Sequence, residues 1–264
     1  MSINNSPIGI FDSGVGGTSI WKEIIKKLPE ENTIYLSDSK NAPYGEKSKA
    51  DIIALAKKNT DYLIAKGAKV IVVACNTATT NGIKILRDSY NIPFIGIEPA
   101  IKPASLHTQT NVIGILATKG TLSSELFEKT SSSIRETKTI KEVVGKGLVE
   151  LIEKGKGESE EMHSLLQSYL HPLLQDNIDC LVLGCTHYPY LIPQIKKIVG
   201  KNVQIIDSGE AVARQTKAIL TKNNLLNFKN SAVKHEFFIN TNKTVLEQLV
   251  KNNGANIVVT EQDF

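Results

Sequence analysis

Residues 70–77 read VIVVACNT, and residues 180–187 read CLVLGCTH. Each stretch is a short apolar run that ends in a polar turn, which is typical of a buried strand in a parallel sheet. A second pair, IGIF at residues 8–11 and IGIL at residues 113–116, follows the same order along the chain. The members of the two pairs are 110 and 105 residues apart. Offsets this similar indicate two related halves, each built around the same strands.

Further apolar runs alternate with helical patterns along the rest of the chain. Strands are predicted at residues 33–36, 94–97, 203–206, 237–239 and 257–259. Helices are predicted at residues 18–28, 49–66, 79–90, 147–154, 160–175, 191–199 and 209–222. This alternation indicates βαβ units. We therefore predict an α/β fold of two similar domains, whose parallel sheets are related by pseudo-twofold symmetry and whose cleft holds the active site.

The composition is that of an ordinary globular protein. The 264 residues include 31 Lys and Arg against 27 Asp and Glu, so the net charge is only +4. The basic residues are scattered, and we interpret segments 141–146 and 154–156, where Lys alternates with Glu and Gly, as solvated surface. We expect no nucleic-acid partner. Because neither a bilayer-spanning apolar run nor a secretory signal is evident, we expect a cytoplasmic protein without a membrane span.

Two of the three cysteines come directly after a predicted strand. Cys75 and Cys185 each precede hydrogen-bonding residues in a strand-to-helix turn, a setting that lowers a cysteine pKa and favours the thiolate. Because the carboxyl ends of the strands face the cleft, we expect the two sulfurs to enter it from opposite walls. Cys180 lies within an apolar strand, and we interpret it as a buried structural residue.

A pair of opposed thiols suits the inversion of an amino-acid α-carbon. One thiolate removes the α-proton from one face, and the other thiol donates a proton to the opposite face. The sequence contains no evident pyridoxal-lysine signature or metal-binding cluster. The carbanion therefore has to be stabilised by N–H groups and hydroxyls in a desolvated cleft.

Residues 12–18 read DSGVGGT and connect the first strand to a helix. Ser19 takes the place of the third glycine of a dinucleotide-binding loop, and no Gly-Lys-Ser/Thr follows for a P-loop. We interpret the motif as a tight turn against a small anion, with Asp12 as a charged partner or, alternatively, as the helix N-cap. Residues 41–45, NAPYG, form a rigid turn whose N–H groups and Tyr44 can contact a ligand. The other histidines show no partner pattern and are interpreted as structural or exposed: His107, His163, His171 and His235.

Over nearly its full length the chain resembles the glutamate racemases of the cofactor-independent aspartate/glutamate racemase superfamily. The resemblance rests on GIFDSGVGG (9–17), PYG (43–45), ACNTA (74–78), GIEPA (96–100) and LGCTHYP (183–189). Five motifs in the family's order are far more specific than any one of them. The resemblance implies interconversion of L-glutamate and D-glutamate without a cofactor or metal, with D-glutamate supplied to peptidoglycan synthesis.

The resemblance also implies roles for individual residues. Cys75 and Cys185 would act as the acid/base pair, with Asp12 assisting the first and His187 the second. A family glutamate near the second half-site matches Glu150 in the stretch GLVE. Substrate contacts are implied for Asp12, Ser13, Pro43, Tyr44, Gly45, Asn76, Thr77, Thr118, Thr186 and His187.

The same resemblance predicts how the chain divides and assembles. The first domain would comprise residues 1–97 and 210–264, on the Cys75 side, and the second would comprise residues 98–209, on the Cys185 side. The family often forms dimers, so a homodimer is one expected assembly.

Three other interpretations of the same residues stay open. The thiol pair could racemise aspartate or another amino acid. A Cys–His hydrolase would use Cys185 as nucleophile and His187 as base, and would not depend on Cys75. A zinc-binding module would combine the three cysteines with His187, although the spacing around Cys180 is poor for zinc.

Overall fold

The structure, a computed structural model, describes residues 3–227, 232–253 and 256–264. Its strands are β1 (Ile8–Asp12), β2 (Thr33–Ser37), β3 (Val70–Val73), β4 (Phe94–Gly96), β5 (Val112–Ala117), β6 (Thr139–Val144), β7 (Cys180–Gly184), β8 (Gln204–Ile206), β9 (His235–Ile239) and β10 (Ile257–Glu261). Its α-helices are α1 (Thr18–Lys27), α2 (Lys49–Ala65), α3 (Asn76–Ser89), α4 (Ile101–His107), α5 (Lys119–Leu122), α6 (Glu125–Arg135), α7 (Leu148–Glu153), α8 (Glu160–Gln175), α9 (Ile192–Val199), α10 (Gly209–Lys222) and α11 (Thr244–Val250). None of the helices in these ranges combines the length and apolar character that crossing a bilayer requires.

The strands form two parallel sheets. One has the order β10-β9-β2-β1-β3-β4, and the other has the order β6-β5-β7-β8. The series β2-β1-β3-β4 and β6-β5-β7-β8 have the same arrangement, so the repeated stretches of the sequence occupy equivalent strands. The predicted α/β fold with two similar parallel sheets is confirmed. We call the part built on the six-stranded sheet the first half and the part built on the four-stranded sheet the second half.

Burial explains why the central strands are continuous apolar runs. Every residue of β1, β3 and β7 is buried, as expected for parallel strands with both faces covered. Helix α1 buries Ile20, Trp21 and Ile24, whose spacing places them on one helix face. One apolar cluster contains residues of both halves, such as Val15 and Leu148. This shared core brings the strand ends of the two sheets together.

Helix α3 begins earlier than the sequence pattern predicts. It begins at Asn76 and not at residue 79, because the Cys75 sulfur accepts the N–H of Ala78 and acts as the N-cap. A cysteine cap gives no recognisable sequence signal, since Ser, Thr, Asp and Asn are the usual caps. The thiol of Cys75 therefore lies directly at a helix N-terminus.

Strand β6 includes most of a segment that we interpreted as solvated surface. It is the edge strand of its sheet, and only Ile140 is buried. Its charged residues Lys141 and Glu142 are half-buried and exposed, as the interpretation of this segment as solvated surface expects. The interpretation was wrong in predicting no strand here. Helices α4, α5, α6 and α11 were also not predicted, and each buries three residues or fewer.

Candidate active site

The loops that follow β1, β3 and β7 meet at a small internal cavity. Its volume is about 10 Å³, close to the space that a single water needs. The lining residues are Ser13, Pro43, Tyr44, Gly45, Cys75, Asn76, Thr77, Thr118, Val149, Cys185, Thr186 and His187. The two cysteine side chains therefore face one enclosed space. An amino acid needs far more room, so its binding requires the walls to move apart.

Cys75 forms the wall of the first half and is 4 % exposed. Its sulfur lies 3.6 Å from Ser13 Oγ and accepts the N–H of Ala78 at 3.4 Å. Burial raises the pKa of the Cys75 thiol, and the charge of Asp12 raises it further, whereas the Ala78 and Ser13 hydrogen bonds lower it. The expected lowering of this pKa is therefore wrong, because burial outweighs the hydrogen bonds to the sulfur.

Asp12 ends β1 and is fully buried. Its Oδ2 accepts the N–H groups of Gly14 and Gly17, both at 3.1 Å. Thr186 Oγ1 donates to Asp12 Oδ1 at 3.1 Å from the second half. Burial raises the pKa of Asp12 to about 6, although the charge of His187 and the Gly17 N–H oppose the shift. The alternative that Asp12 is the N-cap of α1 is wrong, because Gly17 has that position.

Cys185 and His187 form the wall of the second half. The Cys185 sulfur lies 3.7 Å from His187 Nδ1, and both side chains are buried. His187 Nε2 lies 2.5 Å from Glu153 Oε1. Burial lowers the pKa of His187, but the contacts with Cys185 and Glu153 outweigh burial and raise the pKa well above its usual value. The imidazolium is thus stabilised between a sulfur and a carboxylate.

The contacts of Glu153 show which nitrogen of the His187 ring carries a hydrogen. Burial raises the pKa of Glu153, but its hydrogen bonds to His187, Ser39 and Val15 outweigh this effect and hold the pKa below its usual value. An ionised carboxylate can only accept, so Nε2 of His187 carries a hydrogen and donates to Glu153. The N–H of Gly16, 3.3 Å from Nε2, therefore makes a close contact and not a hydrogen bond.

The carboxylate beside His187 is Glu153 and not Glu150. Both lie on α7, but Glu150 lines an adjoining outer cavity, whereas Glu153 ends the helix against His187. Glu153 also accepts the N–H of Val15 and the hydroxyl of Ser39, both at 2.7 Å. The sequence analysis named Glu150 and missed Glu153. The two glutamates are three residues apart, so the sequence offered both as candidates for the carboxylate beside His187.

Tyr44 is held in the cavity wall by a buried carboxylate that the sequence analysis also missed. The Tyr44 hydroxyl donates to Asp38 Oδ2 and accepts from Asn59 Nδ2 at 3.1 Å. Asn41 and Asn240 donate to the other carboxylate oxygen of Asp38 at 2.8 and 2.5 Å. Burial and Asp38 raise the pKa of Tyr44 well above its usual value, so this hydroxyl remains protonated. A polar residue directly after β2 was the available signal for Asp38.

Asn76 carries an unused pair of polar groups. The residue is 2 % exposed, and neither its amide oxygen nor its amide nitrogen has a hydrogen-bond partner among the described residues. Leaving such groups unpaired costs about 1–3 kcal/mol each. Since Asn76 lines the cavity, a polar ligand can satisfy both groups. The hydroxyls of Thr77 and Thr118, 2.8 Å apart, lie in the same wall.

An outer cavity of about 350 Å³ adjoins the inner one. The two share Pro43, Gly45, Thr118 and Val149, so the outer cavity borders the inner one on this side. It is also lined by charged side chains, namely Lys47, Lys119, Lys146, Glu46 and Glu150.

Cys180 lies at the opposite end of β7 from Cys185. It begins β7, whereas Cys185 follows the end of that strand, roughly 16 Å away at about 3.3 Å per residue. Within the ranges that the structure describes, no group of three or more His, Cys, Asp or Glu side chains is placed to hold a metal ion. The zinc interpretation, which requires Cys180, therefore lacks its ligand set.

Comparison with known proteins gives consistent matches over most of the chain. Residues 8–216 match the family model for Asp/Glu/hydantoin racemases. A glutamate racemase of Herpetosiphon aurantiacus is 43 % identical over 229 residues, which cover 87 % of this chain and 90 % of that protein.

Solved structures agree with the sequence matches. A glutamate racemase isoform from Bacillus anthracis has a TM-score of 0.87 and 33 % identity, and the alignment covers 99 % of this chain and 98 % of that one. Escherichia coli glutamate racemase, in complex with L-glutamate and the activator UDP-MurNAc-ala, has a TM-score of 0.84 and 31 % identity, with 96 % and 97 % covered.

Proposed function

Because this chain belongs to the Asp/Glu/hydantoin racemase family, we propose that it interconverts L-glutamate and D-glutamate with Cys75 and Cys185 as two bases. The observation that carries the proposal is that the two sulfurs, one from each half, line one enclosed cavity. Glutamate is the chosen substrate because the relatives of about 43 % identity are glutamate racemases. The reaction needs no cofactor in this scheme.

The substrate binds between the two walls. The unpaired amide of Asn76 and the hydroxyls of Ser13, Thr77, Thr118 and Thr186 bind its carboxylate and ammonium groups. The turn from Pro43 to Gly45 supplies further contacts at the mouth of the cavity. Closure around the substrate excludes water and strengthens each of these interactions.

Racemisation then transfers one proton on each face. The thiolate of one cysteine takes the α-proton, so the C–H bond breaks and an S–H bond forms. The thiol of the other cysteine gives its proton to the opposite face of the carbanion and becomes a thiolate. No atom is gained or lost, but the protonation of the two sulfurs is exchanged. Donors around the carboxylate stabilise the intermediate charge.

The two walls place different groups beside their sulfurs. The raised pKa of Cys75 keeps this residue as a thiol. The imidazolium of His187 stabilises negative charge on the sulfur of Cys185, 3.7 Å away. Asp12 assists proton transfer at Cys75 and His187 assists it at Cys185, and proton exchange with solvent returns both sulfurs to their starting state after each turnover.

The decisive experiment follows α-deuterium during racemisation of L-glutamate in D₂O. With two bases, the D-product carries solvent deuterium early, while the remaining L-substrate stays protiated. Equal early labelling of recovered substrate and product would contradict the two-base scheme. Parallel reactions with L-aspartate identify the substrate, because loss of optical rotation with aspartate and not with glutamate would overturn the choice of glutamate.

A second candidate function is hydrolysis by a Cys185–His187–Glu153 triad. The observation that favours it is the order of contacts, in which a carboxylate orients a histidine beside a cysteine. This candidate gives no role to Cys75. A trapped acyl adduct on Cys185, formed equally well by Cys75→Ala, would support hydrolysis.

The wider context is part of the same proposal. D-glutamate made in the cytoplasm would enter peptidoglycan synthesis. Residues 1–97 with 210–264 and residues 98–209 would be the two domains, a division supported by the strand membership of the two sheets. A homodimer is the proposed assembly, and light scattering of the purified protein would test it.

A further inference from the structure

Ser39 connects the first half to the base on the second half. It begins the short helix Ser39–Asn41 after β2, and its hydroxyl donates to Glu153 Oε2 at 2.7 Å. The other carboxylate oxygen of Glu153 accepts from His187 Nε2 and from the N–H of Val15. His187 Nδ1 in turn faces the Cys185 sulfur. The hydroxyl of Ser39 is thus linked to the reacting sulfur through two side chains.

The two carboxylates of the site depend differently on closure of the cleft. Asp12 receives two N–H groups, those of Gly14 and Gly17, from its own half. Among the described residues, Glu153 accepts from His187 and from two donors of the opposite half, Val15 and Ser39. Separation of the halves therefore removes two donors from Glu153, whereas Asp12 keeps two of its own.

We propose that Ser39 is a positioning residue that, together with the Val15 N–H, holds Glu153 against His187 when the two halves are closed. The inference rests on the proposed racemase function and deepens it. A carboxylate with fixed donors keeps its orientation and its charge, and so stabilises an imidazolium better than a mobile one. Closure thereby supplies both backbone and hydroxyl donors to Glu153, whereas Asp12 keeps its Gly14 and Gly17 donors in either state.

A purely structural role for Ser39 is the alternative. Its hydroxyl also lies 3.0 Å from Ser37 Oγ, so it could simply stabilise the turn after β2. The proton on His187 distinguishes the two roles. Its titratable neighbours are Cys185, Glu153 and Asp12. Of these three, Glu153 is the one that Ser39 contacts directly.

The test is a ¹⁵N-histidine NMR titration of the whole chain, with the His187 signal assigned by a His187→Gln variant. Ser39→Ala should lower the pKa of His187, and Ser39→Thr, which restores a hydroxyl, should return it towards the wild-type value. Ser19→Ala is the matched control, because Ser19 Oγ donates across the cleft to the Thr186 carbonyl at 2.9 Å without contacting Glu153. A His187 titration unchanged by Ser39→Ala, or changed equally by Ser19→Ala, overturns the inference.

Kinetics on the same variants add a measurement, the isotope effect, that a change in fold stability alone would not alter. Ser39→Ala should lower kcat roughly tenfold, the effect of losing one hydrogen bond to a charged group. The primary isotope effect on kcat/KM with α-deuterated glutamate should rise for the enantiomer that Cys185 deprotonates and fall for the other. Isotope effects that keep their wild-type values for both enantiomers would contradict a role on the Cys185 side. Absence of glutamate turnover in the wild type would refute the proposed function, while the titration would still decide the role of Ser39.

Discussion

The hydroxyl of Thr186 donates to Asp12 Oδ1 at 3.1 Å, and this hydrogen bond crosses from one half to the other. Thr186 directly follows Cys185, whereas Asp12 acts electrostatically on Cys75. A buried hydrogen bond therefore joins a neighbour of Cys185 to a neighbour of Cys75, in addition to the cavity that both sulfurs line. Changes in one wall are expected to affect the proton chemistry of the other.

Replacing either Cys75 or Cys185 with alanine should lower kcat by about 10³-fold or more, because each supplies proton transfer on one face. Cys180→Ala is the control and should keep most of the activity, since Cys180 lies at the other end of β7. The measurement is the decay of the circular dichroism of L-glutamate. Wild-type racemisation by Cys75→Ala would argue against the two-base scheme.

Glu153→Gln should lower kcat by about ten- to a hundredfold, because a neutral amide stabilises the His187 imidazolium poorly. Glu150→Gln, three residues earlier on the same helix, should keep kcat within about threefold, the spread expected of a surface contact. Steady-state kinetics on the two variants provide the comparison. A larger loss for Glu150→Gln would restore Glu150 as the functional carboxylate.

The pKa of Asp12, about 6 in the fold against 3.8 as the reference, predicts how stability depends on pH. The folded state binds the Asp12 proton more tightly than the unfolded state does. The protonated carboxyl therefore stabilises the fold fully below pH 3.8, and this stabilisation is lost as the pH rises through about 6. Its size is about 3 kcal/mol. Asp12→Asn does not titrate, so its stability relative to the wild type should increase by about this amount from about pH 4 to about pH 7 in urea unfolding. A constant difference across that range would show that Asp12 ionises normally.

Asp12→Asn and His187→Gln should impair opposite directions of racemisation, because the two residues assist different sulfurs. Enantiomers have equal free energies in water, so kcat/KM must stay equal for the two substrates in every variant. The asymmetry should therefore appear in kcat and KM separately, with kcat lower from one enantiomer in the first variant and from the other in the second. Progress curves started from pure L-glutamate and pure D-glutamate measure it. The same preferred direction in both variants would contradict separate helpers.

Gly45 should be required for closure of the cleft. A Cβ at Gly45 would lie 2.7 Å from Thr118 Cβ, which belongs to the opposite half, so Gly45→Ala should raise KM and lower kcat together. Gly157→Ala is the matched control, because a Cβ there meets nothing within 4 Å. Kinetics and thermal melting of both variants separate a closure defect from loss of stability. Unchanged kinetics in Gly45→Ala would mean that the mouth of the cavity adapts.

The strands and the two thiols could be predicted from the sequence because their signals are local. A buried parallel strand has to be apolar along its whole length, and a polar turn has to follow it, as in residues 70–77 and 180–187. The repeat by itself makes Cys75 and Cys185 equivalent. Edge strand β6 and the short helices escaped because they bury too few residues to carry a pattern.

Only the tertiary structure decided which groups surround each sulfur. Glu150 and Glu153 are on one helix and differ in direction by about 60°, so the tertiary placement of α7, and no local signal, selects Glu153 for His187. The pKa of Cys75 is likewise raised and not lowered, because the thiol is buried. That burial depends on how the two halves pack and has no local signal in the sequence. The sequence determined where the two thiols stand on the strands, whereas long-range packing determined their solvation and their proton partners, since both depend on residues far apart in the chain.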